Sequence, residues 1–188
     1  MATILDNVQK SIQVEIPEFD KLEEYLDDVL PKIQPWSETL EEKEHYLDVR
    51  WKEIRDDEQF LETILHIFRD NGEYLYSIDG NLNKGIWKIL QKTNTFIIET
   101  VSGGQIVRSE LFDLAFLNDE FFILKKHGDQ HRKGQRKYLM FAREDVVDGM
   151  EWTEVTTLLY AIYKSNSNFY IIVVVLICIF IIAVFLFA

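Results

Sequence analysis

The sequence predicts a mainly β protein whose strands form an eight-stranded antiparallel up-and-down barrel. From Tyr46 onward, short apolar runs rich in aromatic and β-branched residues recur at intervals of roughly ten residues. The pairs Asn71-Gly72, Asp79-Gly80, Gly103-Gly104 and Asn118-Asp119 supply turn chemistry between these runs. Consecutive strands joined by short turns form a meander, and closing it removes the exposed edges of an open sheet. A barrel is therefore favoured over the alternative, a two-sheet sandwich.

The barrel is expected at residues 46–144, after an acidic and mostly helical arm at residues 1–45. In the arm, Phe19, Leu22, Leu26, Val29 and Leu30 share one helical face, and Pro31 is expected to end that helix. Thr39 with Glu42 predicts a capping box for a short helix through His45. The strands are expected near residues 47–54, 60–69, 73–79, 84–91, 94–101, 105–116, 120–126 and 136–143.

Residues 145–168 are predicted to link the barrel to the last segment of the chain. A polar turn is expected at Asp145–Gly149, followed by a linker helix with one apolar face and a polar hinge at 164–168. The residues on that helical face are Trp152, Val155, Leu159 and Ile162.

Residues 169–188 read FYIIVVVLICIFIIAVFLFA and contain no charged residue, Gly or Pro. A helix of this length spans roughly 30 Å, the thickness of the hydrocarbon core of a bilayer. We therefore expect one transmembrane helix that acts as a C-terminal tail anchor. Because the amino terminus shows no secretory signal, we expect the preceding domain to be cytoplasmic, at a bacterial inner membrane.

The charge and the cysteine content narrow the range of partners. The net charge is −12, and residues 1–62 carry 18 acidic and 7 basic side chains. An acidic surface argues against nucleic acid as a partner, because binding to phosphates requires Lys and Arg. The single cysteine, Cys178, lies within the apolar segment, so no disulfide framework is expected.

Three stretches carry a resemblance to a known family. FRDNGEYLYSIDGNLNKGIWKILQKTNTFIIE contains a strand ending in a DG turn, then a G-x-W strand and a further apolar strand; ELFDLAFLNDEFFILKKHG supplies a later strand, turn and strand. Together with Trp51 in VRW, these stretches resemble bacterial lipocalin-like domains over about residues 46–143. The resemblance implies a calycin-type β-barrel. It involves turns and apolar positions and no catalytic signature.

Two sets of residues are candidates for binding. A barrel of eight strands is either filled by its own side chains or hollow enough for one small molecule. If it is hollow, we expect a ligand cavity lined by His66, Tyr74, Tyr76, Trp87 and Phe96, although such bulky aromatic residues favour a filled core. The run KKHGDQHRKGQRK at residues 125–137 is either a solvated loop or a contact for anions or a membrane. Its basic residues are Lys125, Lys126, Arg132, Lys133, Arg136 and Lys137.

No set of acid, base and nucleophile can be named from the sequence, so we predict a protein that is not an enzyme and has no cofactor. His127 and His131 have a spacing seen in metal sites, but a solvated loop is favoured there, and no metal is predicted. The first functional hypothesis is a tail-anchored scaffold or adaptor in a bacterial membrane-associated complex, with a protein partner or a second copy of the chain. The alternative is a membrane effector whose barrel senses a small apolar or nucleotide-type ligand, as in bacterial defence systems.

Overall fold

The chain folds as a closed antiparallel barrel of eight strands in sequence order. The computed structural model describes residues 19–57, 62–90, 94–128 and 136–161, together with Lys164 and Ile177. Each strand pairs with the next, and β8 pairs with β1 to close the barrel. The predicted up-and-down barrel is confirmed, and it is consistent with a lipocalin-like fold. The strands are β1 Trp51–Ile54, β2 Ile64–Phe68, β3 Glu73–Ile78, β4 Asn81–Leu90, β5 Thr95–Ser102, β6 Gln105–Leu117, β7 Phe121–Lys126 and β8 Tyr138–Arg143.

The first strand is shorter than predicted, because β1 begins at Trp51 and not at residue 47. Asp48 adopts a left-handed backbone conformation with φ of 58° and interrupts the extended chain. Its carboxylate accepts a hydrogen bond from the Arg69 guanidinium at 2.9 Å. Leu47 forms an isolated parallel bridge with Phe68. The segment before β1 therefore crosses the end of the barrel and does not extend its wall.

The two ends of the barrel have different connections. The short β2–β3, β4–β5 and β6–β7 connections lie at one end, which we call the closed end. The β1–β2, β3–β4, β5–β6 and β7–β8 connections lie at the other end, which we call the mouth. At the mouth, Gly80, Gly103 and Gly104 have positive φ angles of 82°, 59° and 78°, as their hairpin turns require. The turn signals in the sequence therefore identify two of the four mouth connections.

Aromatic side chains fill the closed half of the barrel. Trp87 and Phe96 stack with ring centroids 5.2 Å apart, and Tyr46 stacks on Phe122 at 5.6 Å. Tyr46 comes from the crossing segment and donates a hydrogen bond to the Leu40 carbonyl oxygen at 2.9 Å. These side chains are all largely removed from water, so the closed end is sealed by packing.

A second apolar core lies outside the barrel, between its wall and the helices. Helix α1 spans Leu22–Ile33, α2 spans Glu144–Val147, and α3 comprises residues 152–161. The outward side chains of β7 and β8 pack beneath α1 and α3, while the alternate side chains of the same strands enter the barrel. Both faces of β7 and β8 are therefore buried. The outer core contains Leu22, Tyr25, Leu26, Val29, Leu30, Ile33, Ile54, Phe116, Phe121, Ile123, Met140, Ala142, Val147, Val155 and Leu159.

The helices depart from the prediction at two points. Pro31 lies inside the last turn of α1 and does not end it, because packing of Leu30 and Ile33 on the barrel offsets the hydrogen bond that proline cannot donate. The predicted polar turn at Asp145–Gly149 begins as the helical turn α2, in which Val147 is fully buried. The predicted helix at Thr39–His45 is reduced to a single 3-10 turn, Lys43–His45, and Thr39 bonds the Glu42 side chain at 3.3 Å.

Polar contacts fix the direction of the helices on the barrel. The backbone N–H of Leu22, at the start of α1, donates to Asp56 at the mouth end of β1 at 2.8 Å. One turn later, the Tyr25 hydroxyl donates to the Thr156 carbonyl oxygen of α3 at 2.7 Å. Because β8 runs from the mouth to the closed end, α3 carries the chain back toward the mouth.

Within the described residues, no helix has both the length and the apolar character needed to cross a membrane. The predicted transmembrane segment at 169–188 lies outside the described residues except for Ile177. The hinge at 164–168 also lies outside them except for Lys164.

Candidate ligand-binding site

The mouth half of the barrel contains an open cup of about 510 Å³ above the aromatic core. This volume is within the range of pockets that hold small organic ligands. Its apolar wall includes Ile64, Ile78, Ile98, Val107 and Leu139. Its polar lining residues are Glu53, Arg55, His66, Tyr74, Tyr76, Thr100, Arg108, Glu110, Lys126, Arg136 and Tyr138. The barrel is therefore neither completely filled nor completely hollow.

Strand alternation places these charged residues inside the barrel. Trp51, Glu53 and Arg55 follow one another at every second position, so the face of β1 that buries Trp51 also presents Glu53 and Arg55 inward. In β7, Lys126 continues the face that buries Leu124. The inward faces of β1 and β7 thus change from apolar to charged as they approach the mouth.

Glu53 is the centre of the deeper polar cluster, and its side chain is only 8% exposed. One carboxylate oxygen accepts from Arg136 at 2.7 Å and lies 3.2 Å from the Arg55 Nε. The other oxygen lies 3.1 Å from the His66 Nε2. Arg136 also contacts Asp57, which lies on the solvent side, at 3.1 Å. The carboxylate therefore holds two guanidinium groups at the cup wall.

His66 on β2 connects this cluster on β1 to Tyr74 on β3. The His66 Nδ1 lies 2.6 Å from the Tyr74 hydroxyl. Burial raises the pKa of Tyr74 well above its usual value, and the nearby Glu53 charge raises it further. Tyr74 therefore keeps its proton, and where its hydroxyl donates to Nδ1 of His66 the Nε2–H donates to Glu53. Tyr74, His66 and Glu53 thus each have a hydrogen-bond partner within this buried chain, which stabilises it.

Glu110 is the centre of a second polar cluster on the wall formed by β6 and β7. Its Oε1 lies 2.7 Å from Arg108 and 3.1 Å from Lys126. The side chain of Lys126 is only 10% exposed, whereas that of Arg108 is 58% exposed at the rim. This cluster repeats the pattern around Glu53, with two cations for one carboxylate.

The cup has a positive balance in a protein of negative net charge. Among the described residues that line it, four are basic and two are acidic; with Asp57, which pairs with Arg136 from the solvent side, one positive charge remains in surplus, whereas the whole chain carries −12. Burial amplifies this local surplus because water screens charges less effectively inside a protein. The cup is therefore suited to a ligand that carries negative charge.

Because Gly85 has no side chain, the Tyr74 ring can pack directly against the β4 backbone. The two residues are directly opposite each other in the β3–β4 pair. A Cβ atom at Gly85 would lie 2.8 Å from the Tyr74 ring and less than van der Waals distance from the Glu99 carbonyl oxygen. The glycine of the G-x-W motif thus lets Tyr74 lie against the backbone, and Trp87 of the same motif donates to the Arg69 carbonyl oxygen at 2.8 Å.

The five predicted ligand residues are divided between the two halves of the barrel. His66, Tyr74 and Tyr76 line the cup, whereas Trp87 and Phe96 belong to the filled core. Sequence reasoning missed Glu53, Arg55, Arg108 and Glu110. The signal for the first two was present, because they continue the alternation that begins at Trp51.

The predicted basic run has several different environments. Lys126 and Arg136 line the cup, Lys137 contacts Asp27 of α1 at 2.6 Å, and Lys125 is exposed. Arg132 and Lys133 lie outside the described residues. The run is therefore not one uniform solvated surface where it is described.

Of the two histidines with metal-site spacing, where a solvated loop is favoured, His131 lies outside the described residues. His127 lies 2.7 Å from Asp113. A different group, Glu38, Glu42 and His45, brings its potential ligand atoms within 4.8 Å of one another at the surface of the closed end. His45 already bonds Asp119 at 2.7 Å. Such surface acidic groups are common without a metal, so this geometry alone does not define a metal centre.

A larger depression of about 1260 Å³ lies at the closed end, beside Lys43, Asp70 and Lys88. Lys43 and Asp70 form an exposed ion pair at 3.4 Å, with side chains 53% and 75% exposed. The cup is the better candidate, because its charged groups converge on an interior space and, apart from Arg108 at the rim, are partly or fully buried.

Comparisons with protein-family models, with curated proteins and with solved structures found no match for this chain.

Proposed function

We propose that the barrel binds a small organic anion in its mouth and is a non-enzymatic ligand-binding module. The observation that carries this proposal is the convergence of Arg55, Arg136, Lys126 and Arg108 on an open cup above a packed core. Both carboxylates of the cup are already paired with two cations each. A ligand carboxylate, sulfonate or phosphate would complete the charge balance through charge-assisted hydrogen bonds.

The apolar wall of the cup supports an organic ligand over a simple inorganic ion. Tyr76, Ile98 and Leu139 face the same space as the basic groups. A planar or aliphatic portion of the ligand would pack there and displace water. The half-filled barrel supports placing the chain among lipocalin-like domains, with this short polar cup in place of a deep apolar cavity.

Ligand binding is tested by isothermal titration of the full chain in lipid nanodiscs, with empty nanodiscs as the blank. The probes are naphthalene-2-sulfonate, decanoate and adenosine monophosphate. We expect at least one to bind, and the double variant Lys126→Gln, Arg136→Gln to weaken that binding by tenfold or more. Lys84→Gln is the matched control, because Lys84 is exposed outside the barrel and pairs with Glu73. The proposal is rejected if no probe binds or if the cup variant binds as tightly as Lys84→Gln.

We also propose that residues 169–188 attach the protein to a membrane as a single span, with the barrel in the cytoplasm of a bacterium. The support is the uninterrupted apolar sequence, which has the length of a bilayer-spanning helix. Together with the cup, this attachment describes a sensor that holds its ligand-binding domain next to the inner membrane.

The second candidate function is a scaffold or adaptor for a protein partner. The observation in its favour is the acidic face of α1, where Glu23 and Glu24 remain exposed after the opposite face has packed on the barrel. A basic partner surface would fit this face. Crosslinking in cells should then capture a partner that is lost in the double variant Glu23→Lys, Glu24→Lys and retained in Glu44→Lys. Identical capture by all three proteins would exclude α1 as the contact.

A further inference from the structure

We infer that the anion bound in the cup is an aromatic acid, whose ring stacks on Tyr76 while its acidic group meets the basic side of the mouth. The inference rests on the proposed anion binding and goes beyond it, because it decides between a flat aromatic ligand and an aliphatic one. It also names Tyr76 as the residue that determines which organic anions bind.

The cup has a basic side and an aromatic side that face each other. Its basic residues all lie on the neighbouring strands β6, β7, β8 and β1 or within two residues of their ends. They are Arg108, Lys126, Arg136 and Arg55. The rings of Tyr74 and Tyr76 lie on β3, which is four strands away from β7 in either direction around the barrel. A ligand that spans the cup therefore meets positive charge at one end and aromatic rings at the other.

The aromatic side is the open end of a stack of rings that begins in the core. The rings of Phe68 and Tyr74 are nearly parallel, with centroids 5.2 Å apart and an angle of 11° between them. Tyr76 continues the stack, 5.3 Å from Tyr74 at an angle of 20°. Tyr74 is buried, whereas Tyr76 is only half-buried and lines the cup. Because offset stacking at such separations is favourable, a ligand ring would extend the stack by one member.

Tyr76 is the ring of the lining that is best placed to meet a ligand. Of the aromatic residues that the structure describes, only Tyr74 makes a ring contact with it. Two other aromatic residues of the lining are engaged elsewhere. Phe112 is 3% exposed in the core, and the Tyr138 hydroxyl donates to Asp27 of α1 at 2.7 Å. Removal of the Tyr76 ring should therefore change the choice of ligand.

Arg136 is a suitable anchor for the acidic group of such a ligand. Its side chain lines the cup and is 35% exposed. Its terminal nitrogens donate to Glu53 at 2.7 Å and to Asp57 at 3.1 Å, one bond from each nitrogen. A guanidinium has five N–H donors, so each terminal nitrogen has a second one for a ligand oxygen. A carboxylate on the edge of a flat ring would bond there while the ring lies against Tyr76.

Two physical effects predict opposite preferences for a matched pair of ligands. Naphthalene-2-carboxylate and decahydronaphthalene-2-carboxylate have the same carbon skeleton and the same charge. The saturated acid exposes more apolar surface, so burial of apolar surface alone favours it. Only the aromatic acid can stack on a tyrosine ring. The order of the two affinities therefore shows whether the ligand ring stacks.

The test is isothermal titration of the full chain in lipid nanodiscs with each acid, with empty nanodiscs as the blank. We expect naphthalene-2-carboxylate to bind about two- to tenfold more tightly, the usual range for an aromatic pair. Tyr76→Phe keeps the ring and should retain this preference, whereas Tyr76→Leu should abolish it. Leu75→Ala is the control and should retain the preference, because Leu75 lies on the outer face of the same strand.

The inference is overturned if the parent protein binds both acids equally, prefers the saturated acid or binds neither. It is also overturned if Tyr76→Leu keeps the preference of the parent protein. In each of these cases the proposed function still stands if naphthalene-2-sulfonate, decanoate or adenosine monophosphate binds and the double variant Lys126→Gln, Arg136→Gln weakens that binding. Absence of binding by every probe overturns both.

Discussion

At Gly85 the barrel wall has no side chain, and the Tyr74 ring occupies the space that a side chain would need. This single position links the G-x-W motif to the geometry of the cup, because Tyr74 in turn fixes His66. This link between Gly85 and the cup can be tested by adding a single methyl group at position 85.

We predict that Gly85→Ala destabilises the protein by about 1–3 kcal/mol, the usual cost of overpacking a buried site. The added methyl group would displace the Tyr74 ring or the β5 backbone, so binding of anions in the cup should weaken as well. Chemical denaturation followed by circular dichroism measures the stability. Ser109→Ala, an exposed change on β6, is the control and should behave as the parent protein does. A neutral Gly85→Ala would contradict the close contact.

The hydrogen bond between the Tyr74 hydroxyl and His66 is expected to stabilise the fold. Tyr74→Phe removes the hydrogen-bond partner of His66 Nδ1 and leaves a buried polar atom unpaired. The free energy of unfolding should fall by about 1–3 kcal/mol. Tyr76→Phe leaves that hydrogen bond in place and should have a smaller effect. Equal losses of unfolding free energy for the two variants would show that the Tyr74–His66 hydrogen bond does not stabilise the fold.

At the scale of elements, the segment between α1 and β1 is held to the β6–β7 turn by His45 and Asp119, 2.7 Å apart. Burial lowers the pKa of His45, but Asp119, Glu38 and Glu44 together raise it by more, so the net pKa is above its usual value. The fold therefore stabilises the protonated imidazole.

We predict that this contact stabilises the protein in a pH-dependent manner. Because the folded-state pKa is raised, the stabilisation is fully present below the unfolded pKa of about 6.5 and is lost as the pH rises through the folded pKa. Asp119→Asn should lower the midpoint of urea unfolding at pH 6 and have little effect at pH 8.5. Asp70→Asn, at another closed-end turn, is the control. A pH-independent effect of Asp119→Asn would exclude the imidazolium as its cause.

The sequence allowed the strands to be located more reliably than the cup. Turn pairs such as Asp79-Gly80 are local signals, and the predicted hairpins lie where those pairs occur. The inward position of Lys126 is different, since a lysine within a basic run resembles a solvated loop until the register of β7 is known. The register also explains why Glu53 and Arg55 point inward. From the sequence alone, their charges suggest exposure, although they lie on the same face of β1 as Trp51. Charged residues inside a barrel contradict the average pattern, and only pairing across strands reveals them.

At the scale of the whole molecule, two cores share strands β7 and β8, whose side chains enter the barrel on one face and support α1 and α3 on the other. The helices therefore cover apolar surface that a barrel alone would expose to water. The helices and the barrel form one structural unit.

We predict that a chain ending at Lys164 is soluble and rich in β structure, because both cores lie within residues 19–161. Circular dichroism and size-exclusion chromatography without detergent measure this. A matched chain that also lacks residues 1–33 should aggregate, since Phe121, Ile123 and Met140 lose their cover of α1. A random-coil spectrum for the first chain, or a well-behaved monomer for the second, would contradict this architecture.

The shared wall also determines when the protein can fold during its synthesis. Helix α1 leaves the ribosome before the barrel strands, but its docking surface on β7 and β8 is not complete until Arg143 has been added. The same strand, β8, closes the barrel against β1. Neither core can therefore be complete until β8 has been synthesised. Contacts between the earliest and latest parts of a chain favour slow folding. The nascent chain therefore carries the apolar face of α1 unprotected through the translation of almost the entire domain, a period in which a chaperone would be of greatest use.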